Sequence, residues 1–299
     1  MIAHDLIRRN VALAPMTTYK VGGAAAWFAE PTTLEELRSI LELTPRSMPV
    51  LVLGRGSNVV ISDEGWDGLV LRLVGAFAAI AVQDDGVVVA GGGASLPVLA
   101  RTAVAEGRAG LEFYVGIPGS VGGAVRMNAG GHGSDTAAVL DSATVLTIGT
   151  RSVDLRPAAS FDLSYRYSNL GDDEVVVQAR FRTRKGDLAE LERSIREITR
   201  WRKDYQPGGT LNAGSVFKNP DGEAAGALIE RAGLKGMRDG EVGVSDVHAN
   251  FLVATKAATA SDIFLLVHRI KDIVADRMGV VLEPEVKFVG TFPDPGEGV

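Results

Sequence analysis

The stretch Val50-Leu-Val-Leu-Gly-Arg-Gly-Ser-Asn-Val-Val-Ile61 indicates how the chain folds around its first glycine-rich turn. A dinucleotide-binding βαβ unit also begins with a strand and a glycine-rich turn, but a helix must follow to receive the pyrophosphate. Here the β-branched run Val59-Val-Ile61 follows instead. The stretch therefore predicts a strand–turn–strand arrangement whose backbone N–H groups can hold phosphate, with a plain glycine-rich hairpin as the alternative.

Helix and strand patterns are segregated along the rest of the chain. Helical spacing or helix-capping residues mark the segments 33–45, 95–106, 187–204, 223–232 and 261–279. Short apolar runs typical of strands occupy 50–53, 59–61, 69–73, 79–82, 86–90, 139–148, 174–182 and 280–288. Because the two kinds of element do not alternate regularly, the expected fold class is α+β.

The overall composition excludes several functional classes. The net charge is −6, so a general electrostatic hold on nucleic acid or on an anionic membrane is not expected. The chain has no cysteine, which removes disulfides, thiol nucleophiles, iron–sulfur clusters and cysteine-held zinc. Its four histidines are scattered and predict no metal site. With no signal-peptide core and no apolar run of membrane-spanning length, we expect a cytoplasmic protein.

A second glycine-rich segment, Gly116-Ile-Pro-Gly-Ser-Val-Gly-Gly-Ala124, constrains the backbone more strongly than the first. Asn128-Ala-Gly-Gly131 can continue the same surface. A cluster of structural turns is the alternative for each segment on its own. Two such loops in one chain favour a large cofactor that contains phosphate.

The segment Leu211-Asn-Ala-Gly-Ser-Val-Phe-Lys-Asn-Pro220 brings a hydroxyl, a cation and an amide together after a glycine turn. Gly214 permits a sharp turn that can project Ser215. Lys218 and Asn219 offer groups suited to phosphate or carboxylate oxygens. The alternative is a polar turn without a catalytic role.

Taken in order, these segments resemble a known family. The ordered set is Leu53–Asn58, Gly116–Ala124 with Asn128–Gly130, Tyr165-Arg166, Gly214–Pro220, His248-Ala-Asn-Phe251 and Leu282-Glu-Pro-Glu-Val286. It is similar to the UDP-N-acetylenolpyruvoylglucosamine reductases from about Thr17 to Gly290. The resemblance implies a vanillyl-alcohol-oxidase/PCMH-type FAD-binding fold of two subdomains, 1–75 and 76–186. A C-terminal α+β substrate-binding domain, 187–299, would follow.

The resemblance also implies a set of site residues and cofactors. FAD would be bound without a covalent link, and NADPH would donate the hydride; no metal is implied. The cofactor-binding positions are Gly54, Arg55, Gly56, Ser57, Asn58, Gly116, Ile117, Pro118, Gly119, Ser120, Gly122, Gly123, Ala124, Asn128, Ala129 and Gly130. The catalytic positions are Arg166, Ser215 and Glu285. Tyr165, Lys218 and Asn219 would contact a small nucleotide-sugar substrate.

The implied reaction reduces UDP-N-acetylglucosamine enolpyruvate to UDP-N-acetylmuramate, a step of peptidoglycan precursor synthesis. Hydride reaches C3 of the enolpyruvyl group and a proton reaches C2, so negative charge spreads into the carboxylate. Arg166 suits that carboxylate, and Ser215 is the implied proton donor. Glu285 could be protonated, paired with Arg166 or acting through a water. On a regular strand Glu283 would share its face, so periodicity alone does not rank the two glutamates.

Two departures from the family pattern and two alternative functions follow. His132 stands where the family often has an aromatic residue, and the tyrosine-bearing loop of longer members has no counterpart, which is typical of the shorter subtype. One alternative is another FAD oxidoreductase of the same fold, such as an oxidase of a hydroxylated compound. The other is a nucleotide-sugar or flavin-binding regulatory protein without catalysis. The sequence is compatible with a monomer but does not fix the oligomeric state, and neither nucleic acid nor membrane is expected as a partner.

Overall fold

The computed structural model describes residues 6–296. Its α-helices are α1 (Leu34–Leu43), α2 (Leu96–Ala105), α3 (Val121–Arg126), α4 (Thr136–Val139), α5 (Leu188–Tyr205), α6 (Ala225–Arg231) and α7 (Ala260–Met278). Its strands are β1 (Ile7–Ala12), β2 (Ala24–Ala29), β3 (Val50–Val52), β4 (Val59–Ile61), β5 (Trp66–Leu71), β6 (Ile80–Val82), β7 (Val88–Gly91), β8 (Arg108–Ala109), β9 (Gly130–Gly131), β10 (Ser134–Asp135), β11 (Leu140–Thr147), β12 (Val153–Pro157), β13 (Glu174–Phe181), β14 (Arg184–Lys185), β15 (Arg238–Asp239), β16 (Val242–Val244), β17 (Leu252–Ala254) and β18 (Lys287–Val289).

The strands form sheets of mixed direction. The largest has the order β12-β11-β13-β7-β6, with antiparallel neighbours throughout. A four-stranded sheet has the order β1-β2-β5-β3, and its β3 and β5 are parallel. The remaining strands form the sheets β15-β16-β17, β18-β4, β10-β9 and β14-β8. Helices and strands are thus mixed without regular alternation, which confirms the predicted α+β class.

The chain divides into two compact units. Unit 1 contains the residues up to Arg9, then Trp27–Arg55 and Gly68–Trp201. Unit 2 contains Asn10–Ala26, Gly56–Asp67 and the residues from Arg202 onward. The division into three domains at residues 75 and 186 stays a prediction.

The core of unit 1 lies between the five-stranded sheet and helices α2 and α3. Strand β11 turns alternate residues inward, so Ala143 and Val145 are buried. Helix α2 begins after Ser95, with Pro97 in its first turn as predicted, and buries Leu99 and Ala103. In helix α3, Val121, Ala124 and Val125 are buried in this core, which anchors the second glycine-rich segment to it.

The core of unit 2 is organised around α7. Five apolar residues of this helix are fully buried at the predicted spacing: Ile263, Leu266, Val267, Ile270 and Val274. They pack in one cluster with Leu228 and Ile229 of α6 and with Val216 and Phe217. Gly279 ends the helix with φ 69°, the left-handed conformation that glycine adopts at little cost. Among residues 6–296, neither α7 nor any other helix is long and apolar enough to cross a bilayer.

The predicted last strand at 280–288 is largely wrong. Only Lys287–Val289 forms a strand, and it pairs in parallel with Val59–Ile61. Pro284 makes a single bridge to Phe217, because proline has no N–H to continue a ladder. Glu283 and Glu285 therefore do not lie on a regular strand, and the expectation that they share a strand face fails.

Candidate active site

The two glycine-rich loops predicted to hold a cofactor meet within unit 1. A Cβ added at Gly54 would overlap Ser120 Oγ and lie 3.3 Å from Ser120 Cβ. A side chain at 54 would therefore force the Ser120 hydroxyl, the N-cap of α3, to move or the two loops to shift apart. Ser120 itself caps α3, since its Oγ accepts a hydrogen bond from the Gly123 N–H. The structure thus brings together segments that are far apart in the sequence.

A third glycine-rich segment, which sequence reasoning assigned no role, anchors the second loop. The Gly122 N–H donates to the Gly92 carbonyl (2.7 Å), and the Val121 N–H donates to Ala94 (2.9 Å). The Leu96 N–H in turn donates to the Gly119 carbonyl (3.0 Å). The signal in the sequence was the run Gly91-Gly-Gly93, which lets the backbones approach this closely.

The first loop offers backbone donors for an anion. Within residues 6–296, the N–H groups of Arg55, Gly56 and Ser57 donate to no protein acceptor. Gly56 has φ +62°, and a Cβ there would overlap the Met16 carbonyl. Successive amides around a left-handed residue form a nest that accepts phosphate. The residues present therefore fit a cofactor with a diphosphate.

Tyr165 and Arg166 occupy the tip of a tight turn in unit 1. Ser164 and Tyr167 exchange backbone hydrogen bonds of 3.2 and 3.1 Å, which closes the turn. Arg166 has φ 54°, an uncommon conformation for a residue with a side chain. Its Nη2 donates to the Gly130 carbonyl (3.2 Å), and its Cζ lies 5.1 Å from the centroid of the Tyr165 ring. The predicted carboxylate-binding arginine thus contacts one of the predicted cofactor-binding residues.

Asn128 is buried beside this turn. Its Nδ2 donates to the Ser164 carbonyl (2.9 Å) and to Asp135 Oδ2 (3.1 Å), and its Oδ1 accepts from the Ala137 N–H (2.8 Å). Its backbone is left-handed, with φ 40°. The side chain therefore connects the segment 128–130 to the turn that carries Arg166.

His132 lies close to the second glycine-rich loop. An added Cβ at Gly116 would be 2.8 Å from His132 Nε2. The imidazole also makes an edge contact with Trp201, with ring centroids 5.0 Å apart. The residue at the family's aromatic position thus joins the end of α5 to the loop at Gly116.

In unit 2, Ser215 is held on a short extended segment. Ser215 bridges to Phe251, and the next residue, Val216, donates its N–H to the Asn250 carbonyl (2.9 Å). The Asn250 side chain completes the pairing, because Oδ1 accepts from the Phe217 N–H (2.9 Å) and Nδ2 donates to the Phe217 carbonyl (2.8 Å). Sequence reasoning gave Asn250 no role, although it lies in the motif His248-Ala-Asn-Phe251.

Glu285 and Ser215 are brought together around Val216. The Glu285 N–H donates to the Val216 carbonyl (2.7 Å), directly after Ser215. Asn58 Nδ2 donates to the Glu285 carbonyl (3.2 Å), so the end of the first loop is fixed to the same segment. Asn219 Oδ1 accepts from the Ala225 N–H (3.0 Å) at the start of α6. Three segments of unit 2, those of Asn58, of Ser215 and Asn219, and of Glu285, are therefore connected by hydrogen bonds.

One ion pair of unit 2 involves a predicted substrate-binding residue, and burial shifts the pKa of a histidine in the motif His248–Phe251. Lys218 Nζ lies 2.6 Å from Glu283 Oε1. Burial lowers the pKa of His248, whose Nδ1 accepts the Asn250 N–H (3.2 Å). In the described part of the chain no three His, Asp or Glu side chains are grouped as metal ligands.

Comparisons with known proteins agree with this arrangement. Residues 25–153 match the family of FAD binding domains, and residues 206–289 match the UDP-N-acetylenolpyruvoylglucosamine reductase C-terminal domain. The UDP-N-acetylenolpyruvoylglucosamine reductase 2 of Symbiobacterium thermophilum is 46% identical over 96% of this chain and 93% of its own. The reductase of Rubrobacter xylanophilus is 44% identical over 92% of each chain.

A solved structure gives the same result for the fold. The crystal structure of UDP-N-acetylenolpyruvylglucosamine reductase from Thermus caldophilus has a TM-score of 0.83 and 35% identity. The match covers 95% of this chain and 100% of that one. Together with the FAD binding domain at 25–153, it confirms the predicted flavoprotein fold class.

Proposed function

The chain belongs to the family of UDP-N-acetylenolpyruvoylglucosamine reductases, which are FAD-dependent oxidoreductases, and we propose from this that it reduces UDP-N-acetylglucosamine enolpyruvate to UDP-N-acetylmuramate with NADPH as the hydride donor. The observation that carries the proposal is the contact of Arg166 with Gly130. It holds a guanidinium, which suits the carboxylate of such a substrate, at a segment predicted to bind the flavin. FAD binding, the effect of removing the Arg166 side chain, and each of the two half-reactions (flavin reduction and flavin reoxidation) can be measured separately.

When bound, FAD would supply the hydride-transfer chemistry between NADPH and the substrate. The groups that would hold it without a covalent link are the nest at Arg55–Ser57, the loop Gly116–Ala124 and the backbone of the segment Asn128–Gly130. The nest supports this assignment because its backbone donors suit the diphosphate. Gly54 supports it because the absence of a side chain there leaves room for Ser120 of the second loop.

The substrate gains a hydride at C3 and a proton at C2, so its double bond becomes a single bond and NADPH becomes NADP⁺. As the hydride arrives, negative charge develops at C2 and extends into the carboxylate. A fixed cation stabilises that charge in the transition state. We assign this role to Arg166, whose planar guanidinium can hold both carboxylate oxygens.

Protonation at C2 is assigned to Ser215. A serine hydroxyl is a weak acid, so the segment around it has to stabilise the alkoxide that remains when the proton is transferred to C2. Glu285, whose N–H is bonded to the residue after Ser215, is the candidate for orienting that proton donor. Tyr165, Lys218 and Asn219 are assigned to substrate binding. The role in peptidoglycan precursor synthesis and the cytoplasmic location complete the proposal.

The test is anaerobic and spectroscopic. The flavin of the purified holoprotein is reduced with NADPH, and UDP-N-acetylglucosamine enolpyruvate is then added while the visible spectrum is followed. Rapid return of the oxidised flavin band is expected. A flavin that stays reduced until oxygen is admitted, and is then oxidised quickly, would replace the proposal with the oxidase of a hydroxylated compound. NADH in place of NADPH, run in parallel, tests the choice of donor.

A further inference from the structure

We propose that Asn128 is a positioning residue for Arg166: its side-chain amide holds the turn Ser164–Tyr167, and with it the arginine that binds the substrate carboxylate. This inference rests on the proposed function for the role of Arg166. It changes the role that the family resemblance implies for Asn128, from a cofactor contact to a support for a residue of the substrate site.

The hydrogen bonds of Asn128 account for the donors of its side chain. One N–H of the amide is directed at the Ser164 carbonyl (2.9 Å) and the other at Asp135 Oδ2 (3.1 Å). Oδ1 accepts the Ala137 N–H (2.8 Å). The residue is 2% exposed. With both donors used inside the protein, the amide nitrogen has none to offer a ligand.

Asp135 fixes the orientation of this amide. Its Oδ1 accepts the Ala138 N–H (3.0 Å) and caps α4, so the carboxylate cannot turn away. A carboxylate and a carbonyl are both acceptors, and together they select the nitrogen side of the amide. The Asn128 nitrogen therefore has to face Ser164.

A second contact returns from the turn to the same segment. Arg166 Nη2 donates to the carbonyl of Gly130, two residues after Asn128 (3.2 Å). These contacts form a closed ring. It runs from Asn128 to Ser164, along the turn to Arg166, and back to the segment of Asn128 through Gly130. Both Asn128 and Arg166 are left-handed, with φ 40° and 54°. Such conformations persist when the surroundings hold them from more than one side.

The consequence for the reaction is specific to one half of it. If the ring opens, the guanidinium loses its fixed place relative to the bound carboxylate, and a displacement of about 1 Å can cost roughly 10²-fold in rate. Flavin reduction by NADPH does not involve the substrate carboxylate and is expected to proceed as in the wild type.

Two variants separate the hydrogen bonds from the backbone. Asn128→Asp keeps the size of the side chain and the acceptor for Ala137, but it removes both donors. Asn128→Gly removes the whole side chain while allowing the left-handed backbone, so it provides the same test if the added charge beside Asp135 disturbs folding. The matched control is Asn169→Asp. Asn169 Nδ2 also donates to a carbonyl and a carboxylate in unit 1, Ser160 O (3.0 Å) and Asp162 Oδ2 (2.8 Å).

The first readout does not depend on the reaction. Hydrogen–deuterium exchange of the holoprotein is followed in peptides that contain Ser164 and Tyr167, whose N–H groups close the turn. Asn128→Asp is expected to accelerate exchange there, whereas Asn169→Asp leaves it at the wild-type rate. Wild-type exchange rates at Ser164 and Tyr167 in both Asn128 variants would overturn the proposal. Loss of FAD from variants that keep the wild-type exchange rate in this turn would also overturn it.

The second readout uses the two half-reactions. Asn128→Asp is expected to slow flavin reoxidation by the enolpyruvyl substrate about 10²-fold. Added to Arg166→Gln, it should cause no further loss, because residues that act through one another are not additive. If the losses in reoxidation rate of the two single variants add fully in the double variant, the proposed dependence on Arg166 is contradicted. A wild-type flavin that the substrate fails to reoxidise would reject the proposed function instead, and the exchange experiment would still decide whether Asn128 holds the turn.

Discussion

Lys218 and Glu283 are joined twice, by the Lys218 N–H donating to the Glu283 carbonyl (2.9 Å) and by Nζ lying 2.6 Å from Glu283 Oε1. Glu285 is placed differently, since its N–H donates to the Val216 carbonyl beside Ser215. The Glu283 side chain is 68% exposed. The structure thus places the two glutamates differently, although strand periodicity could not rank them, and the position of Glu285 supports the proposal that it assists Ser215.

Glu283→Gln and Glu285→Gln are therefore expected to differ strongly in turnover. Because an exposed ion pair contributes only about 0.2–1 kcal/mol, Glu283→Gln should change kcat little and affect mainly KM through Lys218. Glu285→Gln should lower kcat by roughly 10²–10³-fold if it supports the protonation step. Steady-state kinetics of both purified variants provide the measurement. Equal losses in the two would contradict the assignment.

Ser215→Ala is expected to uncouple the half-reactions. Flavin reduction by NADPH should remain near the wild-type rate, while reoxidation by the enolpyruvyl substrate should fall about 10²–10³-fold, because only the second step needs the proton donor. Stopped-flow absorbance measures both rates. Ser160→Ala, which removes an exposed hydroxyl bonded to the Pro157 carbonyl, is the surface control. A similar loss in both half-reactions of Ser215→Ala would argue against proton donation.

Asn250→Ala is expected to destabilise unit 2. The change removes both side-chain partners of the Phe217 backbone, which is buried, and each unsatisfied buried group costs about 1–3 kcal/mol. Thermal unfolding of the holoprotein measures the loss. Asn212→Ala is the matched control, since the Asn212 side chain bonds to Thr210 and Pro207 in a more exposed loop. We expect the control to lower the melting temperature much less than Asn250→Ala does.

Gly54→Ala is expected to weaken FAD binding. The new methyl group overlaps Ser120 Oγ, so either this hydroxyl leaves its capping position on α3 or the two glycine-rich loops shift apart. FAD retained after gel filtration measures the effect. Gly149→Ala, where an added Cβ meets nothing within 4 Å, should retain FAD normally. Combining Gly54→Ala with Ser120→Ala should restore part of the binding, because the nearest remaining atom of residue 120 is Cβ at 3.3 Å.

Acidification is expected to destabilise the protein through His248. Burial is the main cause that lowers its pKa below the ordinary value of 6.5, with Lys235 adding to the effect and Glu230 opposing it. As the pH falls through 6.5, the unfolded chain binds the proton first, so the free energy of unfolding decreases. Protonated Nδ1 would also cease to accept the Asn250 N–H. Melting temperatures measured across this range should fall more steeply in the wild type than in His248→Gln.

Helix ends were the most predictable part of the fold because their signals are local. Asp187 caps α5 as predicted, with Oδ1 accepting the Glu190 N–H (3.0 Å). At α1, Thr33 accepts the Glu36 N–H, but the Glu36 carboxylate bonds to Thr32, so the reciprocal bond of a capping box from the Thr33 N–H is not formed. At α7, Ser261 is bonded to Asp63, which lies far away in the sequence. Local spacing cannot reveal such a partner.

Strands and site contacts depend on distant residues and were less predictable. Strand β2, Ala24–Ala29, is rich in alanine, which has little strand preference, so its pairing and not its composition makes it a strand. The glycine-rich loops identified the candidate site, and the ordered motifs identified the family. The contact of Gly54 with Ser120 and the bonds of Asn128 to Ser164 required the folded structure.

Unit 2 is assembled from three stretches of chain, and this has a consequence for its biosynthesis. Tyr19 is buried with its hydroxyl donating to the Leu252 carbonyl (3.2 Å), and Val59–Ile61 pairs with Lys287–Val289. A ribosome therefore exposes the first two stretches long before their partners exist. Such late, long-range closure is slow and leaves apolar surface open to aggregation in the meantime. In the nascent chain, Val59–Ile61 lacks its strand partner until Lys287–Val289 has been synthesised.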